Sequence, residues 1–81
     1  MAIIKDFEDI SSVDEETLRE RLAGISAETI VKAWIGTAPD NAKHLSSAFP
    51  FIDFEKEKDA IGRIRVEDVD AAQQELLNAL K

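Results

Sequence analysis

The side chains of this chain that could do chemistry are few. One histidine, His44, stands two residues before Ser46 and three before Ser47. A serine nucleophile needs a base, an orienting acid and donors for a developing oxyanion. The sequence offers neither the orienting acid nor the donors, because Gly24, Gly36 and Gly62 are isolated and form no glycine-rich loop. The same isolation removes a phosphate cradle. A metal site at His44 would need carboxylates brought from elsewhere, since the chain has no cysteine and no second histidine. His44 therefore reads as a structural histidine, at the surface or half-buried. The run Asp14-Glu15-Glu16 lacks the glycine turn and alternating ligands of a calcium loop. It reads as the charge cluster of a helix N-terminus. These residues point to no enzyme, no metal and no cofactor.

The chemistry that is left is charge on a surface. Asp53-Phe54-Glu55-Lys56-Glu57-Lys58-Asp59 alternates sign over one predicted helix. Asp53 with Glu57, and Glu55 with Asp59, are like-charge pairs four residues apart. Each weakens an isolated helix by a few tenths of a kcal/mol. Such a cost is tolerable where the charges serve a partner. Asp53, Glu55, Lys56, Glu57 and Asp59, with Arg63 and Arg65 just beyond, are the candidate partner-binding residues. The plain alternative is a solvated helix face.

Composition narrows the partner. Seventeen acidic residues against ten basic ones give a net charge of −7, and residues 1–20 hold seven acids against Lys5 and Arg19. Such a chain is repelled by nucleic acid and by anionic lipid. No basic patch with interleaved aromatics offsets this. The N-terminus lacks an apolar run followed by a cleavage site, so no signal peptide is expected. No stretch approaches the roughly 18 apolar residues of a membrane span. The reading is a soluble cytoplasmic chain whose partner is protein.

The elements that must position these charges are helical. Acids open a segment over 14–23, with Leu18, Leu22 and Ile25 on one face. Ser12 with Glu15 would also fit a capping box two residues earlier. Gly24 is expected as the left-handed residue that ends this helix. Ser26 is an N-cap for 27–35, whose stripe is Ile30, Val31, Trp34 and Ile35. That stripe makes Trp34 core rather than an exposed anchor. Pro39 suits a first helical turn, and Ala42, Leu45, Ala48 and Phe49 then recur at helical spacing. Pro50 is expected in the first turn of the charged helix, about 51–60, which Phe51 and Phe54 give an apolar edge. The last helix spans about 67–80, buried through Val69, Ala72, Leu76 and Leu80 with Val66 and Leu77 beside them. Glu67, Asp68 and Asp70 at its start and Lys81 at its end complement the helix dipole. Ala33-Trp34-Ile35-Gly36 and Asp59-Ala60-Ile61-Gly62 echo each other 26 residues apart, as stacked hairpin units would. No segment alternates with period two for long enough to be a strand. The expectation is one all-α domain over 1–81, with four main helices plus a short N-terminal turn.

Several blocks stand in an order that resembles a known family. They are Phe7-Glu8-Asp9-Ile10 before an acidic helix start, Ala33-Trp34-Ile35-Gly36, Leu45-Ser46-Ser47, Gly62-Arg63-Ile64-Arg65 and Asp68-Val69-Asp70-Ala71-Ala72-Gln73-Gln74. This is similar to the C-terminal domain of the flagellar motor switch protein FliG, over about residues 6–80. The resemblance implies a short right-handed helical superhelix, armadillo-like, used for protein–protein contact. It implies a place at the cytoplasmic face of the inner membrane, in a complex facing the stator. The family's charged positions carry over one at a time with mixed result. Ile35 stands where the family has Lys before Gly, and Phe49 near where it has Arg. Lys56 and Glu57 replace two adjacent acids, one reversed and one kept, and Arg65 matches. Arg63 replaces the family's Pro. The scaffold is thus retained and the charge pattern largely rewritten. The functional expectation is a non-catalytic interaction module that contacts motor or other membrane-complex proteins. A self-associating scaffold domain unrelated to torque generation is the alternative.

Overall fold

The computed structural model describes residues 6–80. In chain order it holds a 3-10 helix, Phe7–Ser12, and five α-helices. These are α1 (Glu15–Arg21), α2 (Ala27–Ile35), α3 (Pro39–Ala48), α4 (Phe54–Ile61) and α5 (Val66–Ala79). No strand is present among the described residues. The all-α class is as expected, but the helix count is higher. The N-terminal turn is a 3-10 helix of its own, and the acidic segment expected as a helix over 14–23 forms the shorter α1, so five α-helices stand where four main ones are expected. The expected role of Lys81 at the end of α5 lies outside the described residues.

Side chains set most of the helix starts. Asp14 caps α1 and accepts from the Thr17 amide at 3.2 Å. Ser26 caps α2 through the Thr29 amide at 3.3 Å. Pro39 opens α3, where its missing N–H leaves nothing unpaired. Ser12 does not cap α1, because its hydroxyl donates to the Asp9 carbonyl at 2.6 Å inside the 3-10 helix. The charged helix begins three residues later than expected. Asp53 is its N-cap and accepts from the Lys56 amide at 3.1 Å. Pro50 therefore stands in the turn before α4 and not in its first helical turn. A carboxylate that can take an orphan amide outranks a proline that merely tolerates the position.

The glycines divide by role. Gly62 alone among them has a positive φ, 70°, so it is the left-handed residue after α4. Gly24 does not play that part, since α1 already ends at Leu22. Gly36 has a φ of −97°, and its need is space. A Cβ there would stand 2.2 Å from Cγ1 of Val69 on α5. The echo between residues 33–36 and 59–62 is thus one of sequence only: the first glycine admits a neighbour and the second turns the chain.

The core gathers around α2, which packs most extensively on α5 and also meets α4 and α3. Ile30, Val31 and Ala33 of α2 are buried with Ala72, Leu76, Leu77 and Leu80 of α5. The 3-10 helix covers α3 and α5 with Phe7 and Ile10, and Val13 follows them inward. Two expectations fail. Val66 is 77% exposed because it is the first helical residue of α5, before that helix reaches the core. Phe51 is 75% exposed, because the later start of α4 leaves it in the turn.

Candidate functional site

Helix α4 rests on one buried side chain, Phe54, whose ring meets that of Trp34 at a centroid distance of 5.1 Å and a tilt of 47°. Trp34 is itself half-buried and donates its indole N–H to the Ala42 carbonyl at 3.1 Å. It is a packing residue held in one orientation, with one side of its ring serving as the seat of α4. Ile52 and Ile61 add half-buried contact at the two ends of the helix.

The seven charged residues singled out from the sequence lie along the stretch 53–65 but not on one face. Glu55, Lys56 and Asp59 are exposed and Glu57 is half-buried. Asp53, Lys56 and Glu57 turn toward a groove described below, whereas Glu55 and Asp59, one turn apart, do not line it. Arg63 and Arg65 are exposed in the connection to α5. Among the described residues none of the seven forms an ion pair; the pairs present are Arg19–Glu15 at 3.9 Å and Lys32–Glu28 at 3.2 Å. The like-charge pair Asp53–Glu57 is softened by the capping role of Asp53, which meets the positive helix end.

Arg65 occupies an unusual position. It is the N-cap of α5 and makes no capping hydrogen bond. Its positive charge also faces the positive end of the helix dipole. Ser, Thr, Asp or Asn would be more stable there.

A groove of about 540 Å³ runs between α1, the start of α2 and the start of α4. Leu22, Ile25, Ile30, Phe49 and Phe51 give it an apolar lining, and the edge of the Phe49 ring meets Phe51 at 5.8 Å. Arg19, Asp53, Lys56 and Glu57 stand among its polar residues. Reading the sequence missed this groove. Its signal was the pairing of Phe51 with Pro50, which read as a helix edge and is in fact a turn.

The residues near His44 are arranged for packing. The ring nitrogen Nε2 meets the Val13 carbonyl, so it carries the proton and donates. The Ser46 hydroxyl donates to the Lys43 carbonyl of its own helix at 3.0 Å. The two side chains thus face different acceptors and form no nucleophile–base pair. Among the described residues no cluster of three or more His, Cys, Asp or Glu side chains is placed to hold a metal ion, and no helix is long and apolar enough to cross a membrane. The carboxyl of Asp14 is held below its ordinary value of 3.8, chiefly by the Thr17 hydroxyl, which donates at 2.6 Å, and then by the Thr17 amide.

Comparison with known proteins gives a family. The family model described as the FliG C-terminal domain matches residues 3–81. No curated protein and no solved structure gives a match. The five-helix architecture is that of an all-α, armadillo-like domain, and domains of this family are structural components of the flagellar motor switch involved in protein interactions.

Proposed function

The chain belongs to the FliG C-terminal domain family, and we propose that it is a non-catalytic interaction module contacting motor or other membrane-complex proteins through α4 and the connection after it. The contact residues are Asp53, Glu55, Lys56, Glu57, Asp59, Arg63 and Arg65. Its partners are proteins at the cytoplasmic face of the inner membrane, the stator among them. The observation that carries this reading is that the stretch 53–65 presents eight charges, Lys58 besides the seven contact residues, with no ion pair among the described residues. The misplaced cap at Arg65 supports it, because stability is given up at a residue that also matches the family pattern.

The charge pattern sets what recognition can look like. With Ile35, Phe49 and Lys56 at family charge positions, a partner shaped for the usual pattern would meet altered charges. Exposed pairs of this kind give steering and selectivity more than affinity. The test is calorimetry against the cytoplasmic segment of a stator protein from the same cell. Binding should weaken as salt rises through about 0.15 M, where the screening length is about 8 Å. A Glu57→Lys/Arg65→Glu double reversal should abolish it. Binding indifferent to both salt and the reversal overturns the assignment of this surface.

A further inference from the structure

Helix α4 cannot stand by itself. It is eight residues long, and an isolated helix shorter than about 12 residues is marginal in water even with good helix formers. Its own charges oppose it, since Asp53 with Glu57 and Glu55 with Asp59 are like-charge pairs four residues apart. Its helical state therefore depends on what it lies against, and that support is narrow. Phe54 is its one buried residue, and it packs chiefly on α2. Among the described residues no hydrogen bond or ion pair joins it to another helix. Helix α1 is shorter still, but Arg19 ties it to the Ala48 carbonyl, and Leu18 and Leu22 are fully buried.

The seat of α4 does not share this dependence. Trp34 belongs to α2, and its indole N–H donates to the Ala42 carbonyl of α3 at 3.1 Å. The ring that receives Phe54 is thus held by two other helices, whether or not α4 lies on it. Both flanks of α4 are also loose from the core. Before it, the Ile52 amide closes a turn on the Phe49 carbonyl at 3.0 Å. After it, Gly62 holds a φ of 70° with nothing within 4 Å of where a Cβ would stand. The chain leaves α4 through a conformation that glycine takes readily and other residues do not.

We propose that α4 is an order–disorder switch: it leaves its seat and melts as a unit, between the turn at 49–52 and Gly62, while Trp34 and the other helices stay folded. The consequence for recognition rests on the reading of α4 as a contact surface. Asp53, Glu55, Lys56, Glu57 and Asp59 keep helical spacing only while Phe54 is seated. A protein partner that reads this spacing binds the seated state and draws the equilibrium toward it.

Amide exchange of the free, whole chain, in a series of urea concentrations below the unfolding transition, tests the switch without any partner. A failure of the contact reading would leave this result untouched. Amides 57–62 should exchange at least about 100-fold faster than the core amides of α2 and α5. Their rates should depend little on urea, because a local opening exposes little surface. The Trp34 indole N–H should exchange with the core set. Gly62→Ala should speed the α4 amides about tenfold, because the strain of a positive φ is borne in the seated state and released in the open one. Leu45→Val, a mild core truncation on α3, should speed the core amides and leave those of α4 unchanged, because the open state keeps that contact. Urea dependence of α4 equal to that of α2 and α5 overturns the proposal, since α4 would then open only with the whole molecule. An indole N–H that exchanges with α4 overturns it too, because the seat would not outlast the helix. So do α4 amides indifferent to Gly62→Ala.

Discussion

Helices α3 and α4 are neighbours in sequence and opposites in attachment. Helix α3 is fastened on several sides by hydrogen bonds from distant residues. Arg19 of α1 donates to the Ala48 carbonyl at 3.0 Å, supplying a cation to the end of a helix with no basic residue in its last turn. Asn41, buried at 4% exposure, donates to the Glu8 carbonyl and carboxylate at 3.1 and 3.2 Å. His44 holds the Val13 carbonyl, and Trp34 holds that of Ala42. Helix α4 has one buried ring, and its charges form no ion pair among the described residues. Attachment is thus unequal: α3 is tied into the fold by polar contacts from several elements, whereas α4 is laid on α2 through the ring of Phe54. A helix held mainly by one buried ring is expected to open locally before the core does.

Core truncation on each helix breaks this comparison most strongly. Leu45 of α3 is fully buried, and Leu45→Ala should cost about 2–5 kcal/mol. Because α3 contacts the 3-10 helix, α1 and α2, the loss should be global and seen as a lowered melting temperature with one transition. Phe54→Ala removes a comparable side chain, yet should act locally. Amide exchange should accelerate across α4 while α2 and α5 keep their protection. Equal, whole-molecule destabilisation by both variants would erase the distinction.

The next effect sharpens the side of the comparison that is tied into the fold. Gly36→Ala places a Cβ 2.2 Å from Cγ1 of Val69. Overpacking typically costs about 1–3 kcal/mol, read by chemical denaturation. The same contact carries the Gln73 amide, which donates to the Ala33 carbonyl at 3.1 Å near the end of α2. Gly36→Ala combined with Val69→Ala should recover much of the loss. Failure to recover would place the glycine's role elsewhere.

What the sequence disclosed and what it withheld follow from the range of the forces involved. Periodicity found the buried faces of α2 and α5, because a stripe records which side meets the core. Capping chemistry placed Ser26 correctly, because a cap acts within three residues, whereas at α1 it offered Ser12 and the cap is Asp14. Asn41 was invisible, since a polar residue on a helix reads as solvated until a distant carbonyl is brought to it. Phe7, Ile10 and Val13 were passed over as a turn because a 3-10 segment has no stripe to recognise. Val66 and Phe51 failed for one reason: a shift of one to three residues at a helix start moves a side chain from core to solvent. The charged run on α4 was legible as charge, but its division between a groove side and an outer side depended on where α4 begins. The groove joins α1, α2 and α4, and no local pattern announces a surface of that kind.

A smaller effect tests the short acidic helix that supports α3. The Thr17 hydroxyl and amide lower the Asp14 pKa from 3.8. A carboxyl depressed on folding contributes stability above its unfolded value, and that contribution is lost as pH falls through the folded value. Asp14→Asn keeps an acceptor oxygen but does not titrate. The melting temperature of the parent should therefore exceed that of the variant well above the ordinary value of 3.8, and the gap should close as pH falls below it. A gap constant with pH would mean that the charge of Asp14 does not matter.

The smallest expected change in stability bears on display most directly. Arg65 caps α5 without a hydrogen bond, and its charge faces the positive end of the dipole. Arg65→Ser supplies a hydroxyl for an orphan amide and removes the opposed charge, so it should stabilise the chain by about 0.5–1 kcal/mol. If Arg65 is kept for contact, the same variant should bind partner more weakly, and Arg65→Lys should recover part of the binding and none of the stability. Stability and binding would then move in opposite directions at one residue, which is what distinguishes a displayed charge from a tolerated one. Arg65→Ser with greater stability and unchanged binding would leave the cap unexplained and move the contact surface back along α4 toward Glu55 and Asp59.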